Sequence, residues 1–405
     1  MTTGPGDEAG SVMTGFPPPL GQRVSPDAVY SSPPVTRWFM QHVREVERTA
    51  DVPSGRLPVT RLPRATKPLG DVVLKDADGF RLTFDELLER TSTDGMLVVQ
   101  RGHVVAEHCR GTLTPTTPHL YHSITKSLAA CVAANLTEGG LLDPSAPVTA
   151  YVPELASSAY AGALVRHLLD MTVAIRYTED HEDDDTEDGR LDRLCGVKPS
   201  RAPDEPGSAY DFATTTVKDG DHGERFHYVS LNTMVLGWVM ERATGVSAPR
   251  LLSEELWSRL GAEDDAYVAL DGVGSAQLDG GFCSSLRDLA RFGRMLVEGG
   301  SIEGRQVVPT WFVEQVREGG DAAAFSASPD SAVLSSGGSY RDCFWVCRRA
   351  DHTTFMGLGM YGQMLYVNQE AGLVVAKFSS QLRPAEETLW AHTFHALESL
   401  AEVLA

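Results

Sequence analysis

The feature that most constrains the fold is a β-hairpin followed closely by an apolar helix that begins at a serine. Two β-rich runs, 96–100 (MLVVQ) and 104–107 (VVAE), flank a glycine-containing turn and predict the hairpin. The segment SITKSLAACVAANLTEGG starts at Ser123, repeats apolar residues every fourth position and closes on two glycines. This pattern predicts a core helix with Ser123 in its first turn.

The rest of the chain predicts an α+β fold with one discontinuous sheet domain. Strand patterns return near the C terminus after a turn-rich, helical middle. We therefore expect an antiparallel sheet flanked by helices, with a helical insertion subdomain. The expected division is a flexible lead at 1–35, a sheet domain at 36–142 and 284–405, and a mainly helical insertion subdomain at 143–283.

Ser123 and Lys126 lie three residues apart, so their side chains project from the same face of the helix. A serine hydroxyl needs a neighbouring base to become a nucleophile, and a lysine is that base only when it is neutral. Burial would lower the lysine pKa and supply the neutral form. The alternative is a serine that caps the helix and a lysine whose stem covers apolar surface.

A second segment, FHYVSLNT, immediately precedes the helical run MVLGWVMERATG. Tyr228 in this segment comes just before the helix start, where Ser230 is a candidate cap. A phenol at this position would lie beside the Ser123–Lys126 pair and pass a proton to the leaving group. The alternative for Tyr228 is an aromatic residue that packs under the helix.

Charge and composition restrict the partners. The formal net charge of −20 argues against binding to nucleic acid or to an anionic membrane, which requires a cationic face. No run approaches the roughly 20 apolar residues of a membrane span, and the N-terminal segment lacks the pattern of a secretory signal. We expect a cytoplasmic protein with free thiols, no cofactor and no metal, acting on a small molecule. The oligomeric state stays open, with a homodimer as one alternative.

An acidic stretch at 179–192 carries nine carboxylates and His181. Such a stretch is typical of a solvated loop. It would equally serve as a rim that attracts the cationic end of a substrate through its electrostatic field. Both interpretations remain open at this point.

With the two segments in view, the chain resembles the serine β-lactamase-like superfamily, which shares the class C β-lactamase fold. Within it, the chain is most similar to the branch of 6-aminohexanoate-dimer hydrolases, the linear nylon-oligomer amidases, and related carboxylesterases. The similarity covers roughly residues 95–380 and includes TDGMLVVQRG, SITKSL, FHYVSLNTMV and GLGMYGQMLYVN. It implies Ser123 as nucleophile, Lys126 as general base and Tyr228 as proton-relaying phenol.

The resemblance also implies a binding site. The segment from Met360 to Gln363 falls where penicillin-recognising members carry a Lys/His-Ser/Thr-Gly strand. The backbone N–H groups of Ser123 and Gln363 would then form the oxyanion hole. Met360 stands where a cation would meet the carboxylate of a β-lactam, which disfavours β-lactamase activity. The implied substrate-binding residues are His181, Ser230, Asp279, Tyr361 and Gly362, with His181 and Asp279 replacing a tyrosine and an asparagine of the amidase branch.

The expected function is a serine hydrolase that cleaves short linear amides or esters through an acyl-enzyme on Ser123. The alternative is a transacylase that passes the acyl group to an amine or an alcohol, because the acylation half of the reaction is the same. Two further alternatives are a catalytically silent binding module and a β-lactam-binding protein on the same fold.

Overall fold

The computed structural model describes residues 12–198, 207–334 and 337–405. It has the predicted α+β architecture, with a large antiparallel sheet flanked by helices. Part of the predicted flexible lead, residues 1–11, lies outside the described residues. No helix in the described parts of the chain is long and apolar enough to span a membrane.

The strands are β1 (Thr49–Val52), β2 (Val73–Lys75), β3 (Arg81–Thr83), β4 (Thr93–Gln100), β5 (His103–Cys109), β6 (His119–Leu120), β7 (Ala266–Ala269), β8 (Phe282–Ser284), β9 (Ser301–Ile302), β10 (Arg305–Gln306), β11 (Gly338–Arg341), β12 (Phe344–Arg348), β13 (Thr353–Gly359), β14 (Gln363–Asn368) and β15 (Leu373–Ser379). The helices are α1 (Pro33–Gln41), α2 (Phe84–Arg90), α3 (Ile124–Glu138), α4 (Val148–Tyr151), α5 (Val165–Leu169), α6 (Glu187–Cys195), α7 (Ala209–Thr214), α8 (Leu231–Thr244), α9 (Ala248–Leu252), α10 (Ser258–Leu260), α11 (Leu286–Val297), α12 (Thr310–Glu318), α13 (Ala322–Ser326) and α14 (Glu387–Leu404). A π-helical turn at Ser253–Trp257 joins α9 to α10, and a 3-10 turn at Met360–Gly362 joins β13 to β14.

The main sheet has the strand order β11-β12-β13-β14-β15-β4-β5, with antiparallel neighbours throughout. The predicted hairpin is β4–β5. Because successive side chains of a strand point to opposite faces, Leu97 and Val99 join one core while Met96 and Val98 join the other. Both faces are apolar and both are covered, one by α11 and the other by α14.

A second sheet, with the order β1-β7-β8-β6, was not predicted. It pairs strands from the N-terminal part of the chain with strands from the end of the middle segment, and the predicted boundary between 283 and 284 falls inside β8. Next to β6, the Tyr121 N–H donates to the Phe282 carbonyl at 2.9 Å. This sheet therefore holds the residues that lead into α3.

Helix α3 is buried on nearly every side, which explains its continuous apolar sequence. It approaches β13 closely at Gly357, where a Cβ atom would lie 3.2 Å from the side chains of Ile124 and Ser127. The Ser127 hydroxyl donates to the Cys343 carbonyl at 2.8 Å. The start of α3 is thus fixed against the main sheet.

The end of the predicted flexible lead is packed, which corrects that expectation. Val29 is buried in a cluster with Phe39 and Met40. The Tyr30 ring stacks on Tyr361, with ring centres 5.1 Å apart. Apolar side chains in this segment find apolar neighbours, so composition alone was a poor guide here.

Candidate active site

Ser123 lines a cavity at the residue that begins α3. His122 makes the sharp turn into the helix with a φ of +47°, a left-handed conformation that is uncommon for a residue with a side chain. The first N–H groups of a helix have no carbonyl one turn earlier to bind. In α3, however, the N–H groups of Ile124, Thr125 and Lys126 donate to the carbonyls of Tyr121, His122 and Ser123. The Ser123 hydroxyl therefore lies at the positive end of the α3 dipole.

Lys126 is fully buried one turn further along, and three oxygens hold its ammonium group. Nζ donates to Ser123 Oγ at 2.9 Å, to Ser230 Oγ at 3.0 Å and to the Asp279 carbonyl at 2.7 Å. A lysine ammonium has three N–H donors, so each of them has an acceptor. The expected pair of Ser123 and Lys126 is present as a direct hydrogen bond.

Tyr228 lies over this pair. Its hydroxyl lies close enough to the side chains of Ser123 and Lys126 to influence its pKa, and Lys126 Nζ is 5.0 Å from the centre of its ring. Its N–H donates to Asp330 Oδ2 at 3.0 Å, and its ring stacks on Trp345 with centres 5.5 Å apart. The structure thus brings the three predicted catalytic side chains together, while their roles stay predictions.

Glu179 joins the same network, whereas the sequence indicated it only as one carboxylate of the acidic stretch at 179–192. Its Oε1 accepts from Ser230 Oγ at 2.5 Å, and its Oε2 accepts from the Ser230 N–H at 2.9 Å. Lys126, Ser230 and Glu179 therefore form a continuous hydrogen-bonded chain. Burial and the charge of Asp188 raise the pKa of Glu179 to about 8.

The expectation that burial makes Lys126 neutral is wrong for the resting site. Burial does lower the pKa of Lys126, but the nearby Tyr228, Asp279 and Glu179 outweigh it and leave the pKa above its ordinary value. Burial also raises the pKa of Tyr228. At neutral pH the resting site therefore contains a lysine ammonium and a neutral phenol.

A group of buried, mutually interacting carboxylates extends from Glu179, which lines the cavity, and we call it the acidic cluster. Its members are Glu47, Glu179, Asp188, Asp192 and Asp279. Burial is the main cause of raised pKa values here: the pKa of Glu47 is about 7 and that of Asp192 about 6. The cluster holds more acids than the nearby cations neutralise, so protons stay on carboxyl groups at mildly acidic pH.

His181 lines the cavity, as expected for a substrate-binding residue. Its Nδ1 lies 2.6 Å from Asp188 Oδ2. Burial opposes a charge on the imidazole, but Asp188 and Glu179 outweigh it and raise the pKa of His181 to about 9. His181 therefore presents an imidazolium at neutral pH, fixed by a buried carboxylate.

Glu179, His181 and Asp188 bring three potential metal-ligand atoms within 4.8 Å of one another. These atoms already satisfy each other and Ser230: both Glu179 oxygens accept from Ser230, and His181 contacts Asp188. A metal ion would have to break these bonds. The group is best described as a hydrogen-bonded network that orients Ser230 and His181.

Five large apolar residues also line the cavity, together with the carboxylates of Asp330 and Glu387, and we call the five the apolar wall. It consists of Val333, Trp345, Leu358, Met360 and Trp390. The cavity encloses about 120 Å³. That is slightly less than the ~150 Å³ of an engineered cavity that admits benzene, so it suits a short acyl segment.

The structure does not bring Gln363 to the cavity, which corrects its expected oxyanion role. The Gln363 N–H donates to the Met360 carbonyl, so it is not free for a substrate oxygen. Its side chain turns away and bonds to Ser379. The main-chain segment that lines the cavity beside Ser123 is instead 358–360, at the end of β13.

Gly362 and Tyr361 are likewise displaced from their expected substrate contacts. Gly362 backs onto the Gln381 side chain, where a Cβ atom would lie 2.5 Å from Gln381 Cδ. Tyr361 packs against Tyr30 and His122 rather than against the cavity around Ser123. Of the three residues of this turn, only Met360 lines the cavity.

Ser230 and Asp279 are at the site but already engaged. The Ser230 hydroxyl donates to Glu179 and accepts from Lys126, so a structural role replaces the expected substrate contact. The Asp279 carbonyl holds Lys126. The Asp279 side chain remains a candidate for substrate binding, because its Oδ1 is buried without a hydrogen-bond partner among the described residues.

Comparison with known proteins identifies this arrangement. The sequence pattern of the family described as Beta-lactamase matches residues 80–398, most of the chain. The chain belongs to the β-lactamase family. Over 348 residues it is 38% identical to 6-aminohexanoate-dimer hydrolase of Paenarthrobacter ureafaciens, with 86% of each protein covered. The predicted resemblance and fold are therefore confirmed.

Solved structures agree with this membership. A protein of Bacillus anthracis, provisionally assigned as a 6-aminohexanoate-dimer hydrolase, matches with a TM-score of 0.84 and 26% identity over 95% of this chain and 98% of that one. A hydrolase with promiscuous acyltransferase activity shares the fold, with a TM-score of 0.57, 14% identity and coverage of 77% and 97%. Together with the family match, the sequence similarity makes this chain a serine hydrolase of amide or ester bonds.

Proposed function

We propose that Ser123 attacks the carbonyl carbon of a short linear amide or ester and carries the acyl group as an ester intermediate. The observation that carries this proposal is the hydrogen bond between Lys126 Nζ and Ser123 Oγ, with the Tyr228 phenol in contact with both. A nucleophile, a base and a proton donor within bonding distance form the working unit of serine acyl transfer.

Lys126 must first lose a proton, and Glu179 offers a destination. Once ionised, Glu179 takes the Ser230 hydroxyl proton while Ser230 takes a proton from Lys126. Lys126 is then neutral and accepts the Ser123 hydroxyl proton as Oγ bonds to the carbonyl carbon. The pKa of Glu179, about 8, makes this carboxylate a better proton acceptor than an ordinary one.

The tetrahedral intermediate collapses when the C–N or C–O bond of the substrate breaks. The leaving amine or alkoxide takes the Tyr228 phenol proton, and Lys126 returns a proton to Tyr228. Water then attacks the acyl-enzyme by the same route in reverse, and the product acid leaves. The protein groups in these transfers, Ser123, Lys126 and Tyr228, lie together at the cavity.

The developing oxyanion needs donors at the carbonyl oxygen. We assign one to the Ser123 N–H at the start of α3 and the second to the main chain of segment 358–360, which lines the cavity beside it. Gly359 supports this assignment, because a Cβ atom there would lie 2.5 Å from the Tyr121 carbonyl. The strand end therefore lies directly against the residues that precede Ser123.

For the substrate we propose an amide or ester with a short apolar acyl segment and a cationic end. The apolar wall would bind the methylene groups, and the acidic cluster would bind the cation. The related hydrolase acts on 6-aminohexanoate dimer, which has a terminal amine and polymethylene chains. His181 and Asp279 differ from the amidase branch, so the preferred chain is expected to differ from that dimer.

An amine or an alcohol would replace water in a transacylase, which is the second candidate. It is favoured by the fold neighbour described as a hydrolase with promiscuous acyltransferase activity. Product analysis with added amines distinguishes the two, because an acyl acceptor other than water leaves a new amide or ester.

We also propose a cytoplasmic location, since all six cysteines of the chain are unpaired. A homodimer stays a prediction that sedimentation measurements decide.

Covalent labelling tests the central claim. A fluorophosphonate should add one phosphonyl group to the wild-type protein, and peptide mapping should locate it on Ser123. Ser123→Ala should lose both labelling and turnover, by about a thousandfold or more, because nucleophile and base act as a unit. Labelling that persists in Ser123→Ala would contradict the proposed nucleophile.

A further inference from the structure

Lys377 is a buried lysine that the proposed reaction does not use. It lies on β15 with a relative exposure of 0%, and Nζ donates to the Gly362 carbonyl at 2.9 Å and to the Thr91 carbonyl at 3.5 Å. It forms no ion pair with a carboxylate of the described residues; the nearby Asp94 pairs with Arg37. Burial of an unpaired cation is unfavourable, so its presence calls for a reason.

The carbonyl that Lys377 holds belongs to the turn at Met360–Gly362. This turn is tight, with φ values of +58° at Tyr361 and +88° at Gly362. A non-glycine residue in the left-handed region persists only when its surroundings hold it there. The turn is therefore a segment that needs support from outside itself.

The support comes from residues that lie behind the turn on the sheet. Gln363 Nε2 donates to the Met360 carbonyl at 3.0 Å and to the Ser379 carbonyl at 2.7 Å. The Gln381 N–H donates to the Tyr361 carbonyl at 3.1 Å. Each carbonyl of the turn thus has a donor, and Lys377 provides the one for Gly362.

The front of the same turn faces the cavity that Ser123 lines. Met360 ends the segment 358–360 that lines the cavity with Ser123. A shift of the turn would move this segment away from a carbonyl bound at Ser123. Misplacement of a reacting group by about 1 Å costs on the order of a hundredfold in rate.

We propose that Lys377 is a positioning residue that fixes the turn at Met360–Gly362 from behind and thereby holds segment 358–360 against the substrate carbonyl at Ser123. The inference rests on the proposed acyl-enzyme function. Burial lowers the pKa of Lys377 to about 7, against the charge of Asp94. The neutral amine still has two N–H donors, which match the two carbonyls that it contacts. The hydrogen bond from Lys377 to the turn therefore persists whether the amine is charged or neutral.

The test compares Lys377→Met with Ser379→Ala in the full chain. Methionine keeps the length of the side chain and removes the donors. Ser379→Ala deletes a hydroxyl that donates to the same Thr91 carbonyl but makes no side-chain bond to the turn. Steady-state kinetics on a p-nitrophenyl ester and the melting temperature are measured for both variants.

Lys377→Met should lower kcat by about tenfold to a hundredfold with KM changed less than about twofold, since the affected contact strengthens in the transition state. Ser379→Ala should keep wild-type kcat. Gln363→Leu, which removes another tie of the same turn, serves as the second variant if Lys377→Met does not fold, and should give the same split between kcat and KM.

Wild-type kcat in Lys377→Met would overturn the positioning role, as would an equal loss of kcat in Ser379→Ala. Fluorophosphonate labelling separates this from a failure of the proposed function. If the wild-type protein is not labelled on Ser123, the acyl-enzyme proposal fails. If labelling is normal and Lys377→Met reacts at the wild-type rate, only the role of Lys377 fails.

Discussion

The two sides of the cavity differ in how their residues are held. In the acidic cluster, each side chain is placed by hydrogen bonds and charges: Glu179 binds Ser230 with both oxygens, and Asp188 fixes His181. In the apolar wall, the placement comes from packing on the main sheet, as with Trp345, whose ring stacks on Tyr228. The acidic cluster determines the protonation states at the site, and the apolar wall determines the shape of the cavity.

This difference shows why related enzymes of one fold can change substrate without losing their chemistry. Ser123, Lys126 and Tyr228 lie at the boundary between the two sides and contact both. Substitutions in the apolar wall change which acyl group fits. Substitutions in the acidic cluster change the protonation of Lys126 or the attraction of a charged end.

The largest expected effect on activity comes from Tyr228, which lies at the boundary between the acidic cluster and the apolar wall. Tyr228→Phe removes one oxygen and keeps the stack on Trp345, so the fold should persist while kcat falls about a hundredfold to a thousandfold, the range of a lost proton donor. Tyr340→Phe makes the same change at another ring that packs on Trp345 and serves as control. Near-wild-type turnover in Tyr228→Phe would mean that Tyr228 is a packing residue.

The apolar wall should make the enzyme poor on β-lactams. The residues that line the described cavity include no lysine or arginine, and Met360 offers no partner for a carboxylate. The imidazolium of His181 also lines the cavity, but Asp188 already pairs with it. Nitrocefin should be hydrolysed about tenfold to a hundredfold less efficiently than a neutral ester, given the strength of a charged hydrogen bond. Met360→Lys should narrow this gap. Efficient nitrocefin turnover by the wild-type enzyme would contradict the inference that Met360 and the apolar wall disfavour β-lactam substrates.

The acidic cluster should impose a pH dependence. Because the pKa of Glu179 is about 8, its carboxyl group carries a proton below that pH and accepts one above it, so kcat/KM should rise with pH through about 8. Glu179→Gln should remove this rise and lower kcat/KM about tenfold at alkaline pH. Glu182→Gln, at an exposed acid of the same loop, is the control. A rise that survives in Glu179→Gln would rule out Glu179 as the acceptor.

The smallest effects should separate the inner and outer parts of the acidic stretch. Asp192→Asn should reduce the preference for an amide with a terminal amine over its methyl analogue by about threefold to tenfold, as for one partly screened charge contact. Asp183→Asn and Asp185→Asn together should change it less than about twofold, because both carboxylates are exposed and salt screens exposed charges within about 8 Å. A larger effect of the loop substitutions than of Asp192→Asn would mean that the exposed part of the acidic stretch attracts the cationic substrate.

Much of the fold was predictable because its patterns are local. The hairpin β4–β5, helix α3 and strands β14 and β15 follow from periodicity and from glycine or turn residues at their ends. Strand β13 was missed, because TTFMGLG contains two glycines and weakens the strand pattern. The role of Gln363 was inferred from the family resemblance alone, whereas the structure lines the cavity with the end of β13.

The core of the site was predictable for a similar reason. Ser123 and Lys126 are neighbours on one helix, and Tyr228 precedes another. Glu179 was missed because its partner Ser230 lies 51 residues away and no periodicity links them. The pKa of Lys126 depends on Asp279 and Glu179, which come from separate segments, so its direction required the three-dimensional structure.

The raised pKa values of the acidic cluster have a consequence for ligand binding heats. A cation that docks beside Glu47 and Asp192 would favour their ionised forms and expel the protons that they carry near pH 6 to 7. Those protons pass to the buffer, so calorimetric enthalpies of binding would vary with the ionisation enthalpy of the buffer. Affinity for an amine would then increase as the medium becomes less acidic, and the enzyme would couple capture of its substrate to the release of hydrogen ions.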